Sequence, residues 1–244
     1  MRILMISDVY FPRVNRVSTS IQTFRREFQA LGHHVMLVAP SYGDDRPDEA
    51  IIRVPSRGLI VDPEDRMMKI RRVTRLEQRL YQQDFDLVHV QTPFIAHHAR
   101  LRLSRRLGLP KIETYHTFFE EYLQYYAPIV LKRWLPFAAR RLSSWQCNRV
   151  DAVIVPSEAM LAHLRGYGVK TPGTIIPTGI RLEDFRRCEK QSFRRVYGIA
   201  PDRRVMLFVG RVAFEKNVEF LLRVTKRVLE EIPDDGVSSQ LRLA

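Results

Sequence analysis

Short apolar runs alternate with longer amphipathic runs along this chain, and that alternation constrains its fold more than any other feature. RILMIS (2–7), HVMLVAP (34–40), IIRVP (51–55), LVHVQ (87–91), KIETYH (111–116), AVIVPS (152–157), TIIP (174–177) and VMLFVG (205–210) read as strands. Helical patterns fill the gaps at 18–32, 65–82, 94–107, 118–148, 157–166 and 215–231. The first helix is expected to take Ser18 or Thr19 as its cap and to end at Gly32. Strands that alternate with helices at this spacing predict an α/β fold, a parallel sheet covered by helices on both faces. Ligands of such sheets bind beyond the carboxyl ends of the strands. The places to look are therefore Asp8 to Ser18, Gln91 to Phe94, His116 to Tyr122, Ser157, Thr178-Gly179 and Arg211 to Lys216.

Several classes drop out. No run approaches the roughly 18 apolar residues of a membrane span. The N-terminus MRILMISDVY reads as a first strand and not as a signal-peptide core. Cys147 and Cys188 form no disulfide framework, which fits a reducing cytoplasm. The first loop lacks the three-glycine dinucleotide fingerprint, which argues against an NAD-dependent oxidoreductase. The formal net charge of +13 attracts anionic lipid surfaces, nucleic acid or sugar nucleotides. The basic residues are scattered and match no recognition motif, so nucleic acid is the least favoured of these partners.

Arg211 and Lys216 flank the start of the last helical pattern, after a strand ending in Gly210. Two permanent cations beside free helix N–H groups can neutralise a diphosphate; a solvated helix start is the plainer alternative. The loop 8–20 makes a similar anion site, or an ordinary βα loop. His116 ends a strand before TFFEEYLQYY, where Glu120, Glu121, Tyr122, Tyr125 and Tyr126 follow. It can hydrogen-bond a substrate, assist proton transfer, or serve as a satisfied structural histidine. Asp84-Phe85-Asp86 precedes a strand, at the wrong end of the sheet for a ligand, and reads as a turn. The pairs His33-His34 and His97-His98 do not converge on one point, so no metal site is expected. The stretch 131–149 mixes Trp134, Phe137, Leu142 and Trp145 with Lys132, Arg133, Arg140, Arg141 and Arg149. That suits either an anionic membrane surface or a packed helix with a basic outer face.

Five segments in this order carry a resemblance: PRVNRVSTSIQTF, YHTFFEEY, VPSEAM, IIPTGI and GRVAFEKNVEFLL. With them the chain resembles the GT-B glycosyltransferases of retaining family 4, which include bacterial phosphatidylinositol mannosyltransferases and diacylglycerol glucosyltransferases. The resemblance implies a Rossmann-like, acceptor-side N-terminal domain over residues 1–182, a linker at 183–203, and at 204–233 the first βα unit of a donor-binding domain. Residues 234–244 form an atypical tail. It implies transfer of a hexose, with retention, from a nucleotide-sugar to a lipid-linked or other hydroxyl acceptor, with no metal. Arg211 and Lys216 fall where the family clamps the donor diphosphate, and His116 where a histidine lies close to the transferred sugar. Asn15 and Arg16 occupy the donor-phosphate loop, and Glu120 and Tyr122 the acceptor side.

Two departures follow from the same comparison. The family carries Gly-Gly or Asn-Gly where this chain has Asn15-Arg16; where that position needs a glycine conformation, Arg16 is strained or reshapes the loop, and otherwise its side chain adds a positive charge or blocks the donor. After Pro233 the family continues with base- and ribose-binding residues and a carboxylate pair, whereas this chain reads DDGVSSQLRLA. Impaired or absent turnover is therefore expected. The alternative is a non-catalytic acceptor- or membrane-binding module, or one half of a split transferase. The expected location is the cytoplasm, including the inner face of the membrane.

Overall fold

In a computed structural model, the structure describes residues 1–58, 66–99, 108–116, 135–180, 190–201, 205–210, 212 and 216–231. The chain divides into two units, Met1–Ile180 and Arg181–Ala244.

The first unit is built on a sheet of seven strands, all parallel: β1 (Arg2–Ile6), β2 (His34–Pro40), β3 (Ile51–Val54), β6 (Leu87–Val90), β7 (Lys111–Thr114), β8 (Ala152–Val155) and β9 (Gly173–Ile175). Their order is β3-β2-β1-β6-β7-β8-β9. The order reverses direction at β1, so the crevice between the carboxyl ends of β1 and β6 is the topological switch point. A strand buried on both faces reads as a continuous apolar run, and β1 does so. Ile3 and Met5 pack with Ile21, Val35 and Leu37 on one face, whereas Leu4 and Ile6 pack with Val38, Val73, Leu80 and Val88 on the other. A third cluster joins Tyr115, Val153 and Val155 to Met160, Leu164 and Val169.

Helix α1 (Arg16–Ala30) covers the first of those faces. Its cap is Asn15, not Ser18 or Thr19: Asn15 Oδ1 accepts from Ser18 N–H at 2.8 Å. The hydroxyl of Ser18 instead donates to Arg13 C=O at 2.7 Å. The helix closes at Leu31, and Gly32 turns the chain at φ 81°, a left-handed conformation that glycine adopts without steric cost.

The helix predicted for 65–82 is three elements. β4 (Ser56–Gly58) and β5 (Arg66–Met68) form an antiparallel pair, and α2 (Ile70–Arg75) and α3 (Glu77–Tyr81) follow. Tertiary contacts override the helical pattern there. Met68 is buried in the core, and Lys69 N–H donates to Pro55 C=O at 3.1 Å. The Asp84-Phe85-Asp86 turn is structural: Asp84 has φ 44°, Phe85 is buried, and Asp86 Oδ2 accepts from Arg2 N–H at 2.7 Å. Further on, α4 (Leu135–Cys147) precedes β8, and α5 (Glu158–Gly166) follows it under a Ser157 cap.

In the second unit, α6 (Lys190–Tyr197) and α7 (Val218–Glu231) are helical. The predicted strand 205–210 is not formed, and its side chains are exposed. A strand needs a neighbour to satisfy its N–H and C=O groups, and among the described residues this unit holds none. Helix α7 buries no residue; its i,i+4 pairs Arg223–Glu219, Lys226–Glu230 and Arg227–Glu231 are solvent-exposed. Such pairs contribute a few tenths of a kcal/mol each. Among the described residues, no helix is long and apolar enough to cross a membrane.

Candidate active site

The carboxyl ends of β1, β6 and β7 carry a group of buried polar side chains. Asp8 leaves β1 and is 6% exposed. Its carboxylate accepts from the Thr92 hydroxyl at 2.8 Å and from Ala96 N–H at 3.1 Å, capping the helical residues 95–99. Asp8 N–H in turn donates to Thr92 Oγ1 at 2.7 Å. Burial raises the Asp8 pKa to about 6, although the hydrogen bonds from Ala96 and Thr92 pull the other way.

One layer over, β6 and β7 supply His89, Gln91, Thr114 and His116. Residues two apart on a strand share a face. His89 pairs in register with Met5, so this is the face under α1. The His89 ring lies edge-on to Phe24 at 5.4 Å and near Phe28 at 6.5 Å. His89 Nε2 is 2.7 Å from Thr114 Oγ1 and 2.9 Å from the Gln91 carboxamide, whose other end is 2.9 Å from His116 Nε2. Burial lowers the His89 pKa to about 3, with the neighbouring His116 acting in the same direction. Burial likewise lowers that of His116 to about 4, assisted by the Arg16 cation. Both rings are neutral at pH 7.

Arg16 and His116 were each singled out in the sequence, and the Arg16 charge acts on the His116 ring. Arg16 is the first residue of α1 and exposed; Asn15, before it, is extended at φ −152°. Neither residue has positive φ, so the strain expected of Arg16 in a glycine position is absent. The loop before them is anchored through Tyr10. Arg25 Nη1 donates to the Tyr10 hydroxyl at 2.9 Å, and the Arg25 and Arg53 guanidinium groups lie 5.8 and 5.5 Å from its ring. The site thus offers a permanent cation at a helix N-terminus beside a neutral histidine, a set suited to phosphate and hydroxyl oxygens.

Lys216 lies in the second unit, exposed, ahead of α7. Arg211, Glu120 and Tyr122 lie outside the described residues. His89 and Thr114 were not named from the sequence, and Asp8 and Gln91 only as the starts of stretches to inspect. Their signal was polar residues at i and i+2 where two strands end, a pattern that an otherwise apolar parallel strand does not need. Among the described residues, no three His, Cys, Asp or Glu side chains cluster as metal ligands. His97 Nδ1 instead lies 3.2 Å from Glu113 Oε2, both buried.

A family profile described as Glycosyltransferase Family 4 matches residues 17–184. An alpha-monoglucosyldiacylglycerol synthase of Streptococcus pneumoniae is 35% identical over 238 residues, covering 95% of this chain and 53% of that protein. A GDP-mannose-dependent alpha-mannosyltransferase of Mycobacterium tuberculosis is 26% identical, covering 97% of this chain and 63% of that protein. The chain therefore spans little more than half the length of these relatives. Among solved structures, a sucrose-phosphate synthase from Thermosynechococcus elongatus superposes with a TM-score of 0.69 at 18% identity, over 93% of this chain and 60% of that one. At that identity the likeness speaks for the fold alone, an α/β Rossmann-like GT-B architecture. With the profile matched over most of the first unit, the chain belongs to glycosyltransferase family 4.

Proposed function

We propose that the first unit is the acceptor side of a retaining hexosyltransferase that moves a sugar from a nucleotide-sugar to a lipid-linked hydroxyl. The observation that carries this reading is His116 at the carboxyl end of β7, held at 2.9 Å by Gln91, with α1 starting at Arg16, whose charge acts on that ring. Arg16 and the N-terminal amides of α1 would face a donor phosphate, and His116 a hydroxyl of the sugar. Arg211 and Lys216 of the second unit are the proposed cations for a departing diphosphate, without a metal. Retention is supported by the relatives named for alpha-glucosyl and alpha-mannosyl products. The usual sugar nucleotides of glucose and mannose are themselves α-linked. Lipid acceptors are supported by the diacylglycerol in the pneumococcal relative's name.

Among the described residues of the second unit, the 205–210 segment is exposed and helix α7 buries no residue, so these residues form no packed donor pocket. The 244-residue chain alone is therefore expected not to turn over donor. Residues 1–180 fused to the C-terminal half of the pneumococcal relative should transfer labelled glucose to a diacylglycerol glycolipid in vesicles. His116→Ala should lower that rate at least 100-fold. Equal rates for both fusions, or turnover by the 244-residue chain, would refute the reading.

A second reading, a membrane-binding module, is favoured by α4. Phe137, Arg141 and Trp145 recur at four-residue spacing on that helix, all exposed, with Leu142 beside them. The Arg149 guanidinium stacks 4.1 Å from the Trp145 ring. Apolar side chains rimmed by arginines suit an anionic interface. Co-sedimentation with vesicles of anionic lipid, lost on Phe137→Ser with Trp145→Ser, tests it; unchanged binding would remove α4 from the account.

A further inference from the structure

Gln91 stands between two ring nitrogens, and a carboxamide offers a donor at one end and an acceptor at the other. As placed, Nε2 faces His89 and Oε1 faces His116. The two ends have the same shape, so the surrounding network decides between them. His89 makes the decision. Its Nδ1 is buried with no hydrogen-bond partner. With the amide N–H toward His89, two donors, Gln91 and Thr114, would compete for one Nε2 lone pair. The ring proton would then sit on Nδ1 as a buried orphan donor beside Phe24 and Phe28. With the amide oxygen toward His89, Nε2–H is shared between two oxygens and Nδ1 holds only a lone pair. Orphan N–H groups are rarer in proteins than under-satisfied acceptors, so the second arrangement wins. It turns the Gln91 N–H toward His116 Nε2.

We infer that Gln91, itself oriented by His89 and Thr114, is a positioning residue that holds His116 as the Nδ1–H tautomer. His116 then meets a ligand as a hydrogen-bond donor and not as a base. No protein partner occupies His116 Nδ1 among the described residues. A neutral N–H beside the Arg16 cation fits an oxygen rich in electrons: a phosphate oxygen, or the hydroxyl oxygen of a sugar. This rests on the proposed function only in taking His116 as a ligand-facing residue, and the sense of the relay can be measured without any ligand.

The measurement is a long-range proton–nitrogen correlation spectrum of the ¹⁵N-labelled 244-residue protein. Its seven histidines include His89 and His116, whose signals are assigned by His89→Phe and His116→Gln. The expected wild-type pattern for His116 is a pyrrole-type Nδ1 and a pyridine-type Nε2. Gln91→Glu supplies only acceptors, so the His116 proton should move to Nε2 and the pattern invert. Gln91→Leu removes both ends and should leave a mixture of tautomers. A pyridine-type Nδ1 in the wild type overturns the inference. So does an unchanged pattern in Gln91→Leu, which stays decisive even where Gln91→Glu fails to fold. The expected spectra with no effect of His116→Ala on transfer would instead refute the functional reading and leave the relay standing.

Discussion

Acidification should destabilise the first unit through His89 and His116, against an opposing contribution from Asp8. The signs follow from the direction of each shift. Both histidines have folded pKa values below the ordinary 6.5, at about 3 and about 4. Their contribution is complete above pH 6.5 and is lost as pH falls, because the unfolded chain takes up protons that the folded one refuses. Between pH 7.5 and 4.5 that amounts to roughly 2–3 kcal/mol per histidine, at about 1.4 kcal/mol per pH unit below 6.5. Asp8 is raised from 3.8 to about 6, so its folded form holds a proton that the unfolded form has released. It costs stability at neutral pH and returns about 2 kcal/mol over the same interval. The histidines win, and the net loss is about 3 kcal/mol, a large part of a typical domain's stability. Urea unfolding at the two pH values, followed by the fluorescence of the tryptophans, should show it. His89→Phe should shrink the loss by roughly 2–3 kcal/mol and Asp8→Asn should enlarge it by about 2 kcal/mol. An identical pH dependence in the wild type and both variants would refute the claim that these groups are buried in the stated protonation states.

Asn15→Ala removes the cap of α1 and should cost about 1 kcal/mol, read as a lower Tm, with Asn15→Ser restoring most of it. Arg16→Gln should raise the His116 pKa, because the cation that opposes its protonation is gone; a histidine titration by NMR checks the direction. Leu4→Ala empties a fully buried position at the centre of the sheet and should cost about 2–5 kcal/mol by chemical denaturation.

Most of the sheet was legible because a parallel strand buried on both faces leaves an apolar run, as β1, β2 and β8 do; β6 (LVHV) is interrupted by His89, and β7 (KIET) was placed by the alternation of strands and helices and not by an apolar run. β9 was recoverable from TIIP, although the paired residues are Gly173–Ile175. The β4–β5 pair was not legible: Arg66–Met68 and its surroundings have a helical pattern, and only the burial of Met68 decides otherwise. The strand expected at 205–210 shows the opposite failure, since composition favours a strand there and no partner strand satisfies it. In the site, His116 was visible by its place at the end of a strand. His89 was not, because a single histidine inside LVHVQ looks like a packing residue until Gln91 and Thr114 are seen beside it. Arg16 was read as standing in a glycine position, and the residue before it, Asn15, proved to be a helix cap, which local pattern alone could have suggested.

The central place of β1 has a consequence for how the chain is made. It pairs with β2 on one side and β6 on the other, in register from Ile3↔Leu87 to Ile6↔Val90. A ribosome delivers Arg2–Ile6 first and reaches Val90 more than 80 residues later. At roughly 5–20 residues per second, the open edge of β1 waits several seconds for its partner. During that time an apolar strand with unpaired amides is available to any other nascent chain. The yield of folded protein in a cell should therefore depend on chaperone supply and on the speed of translation across the codons between β1 and β6.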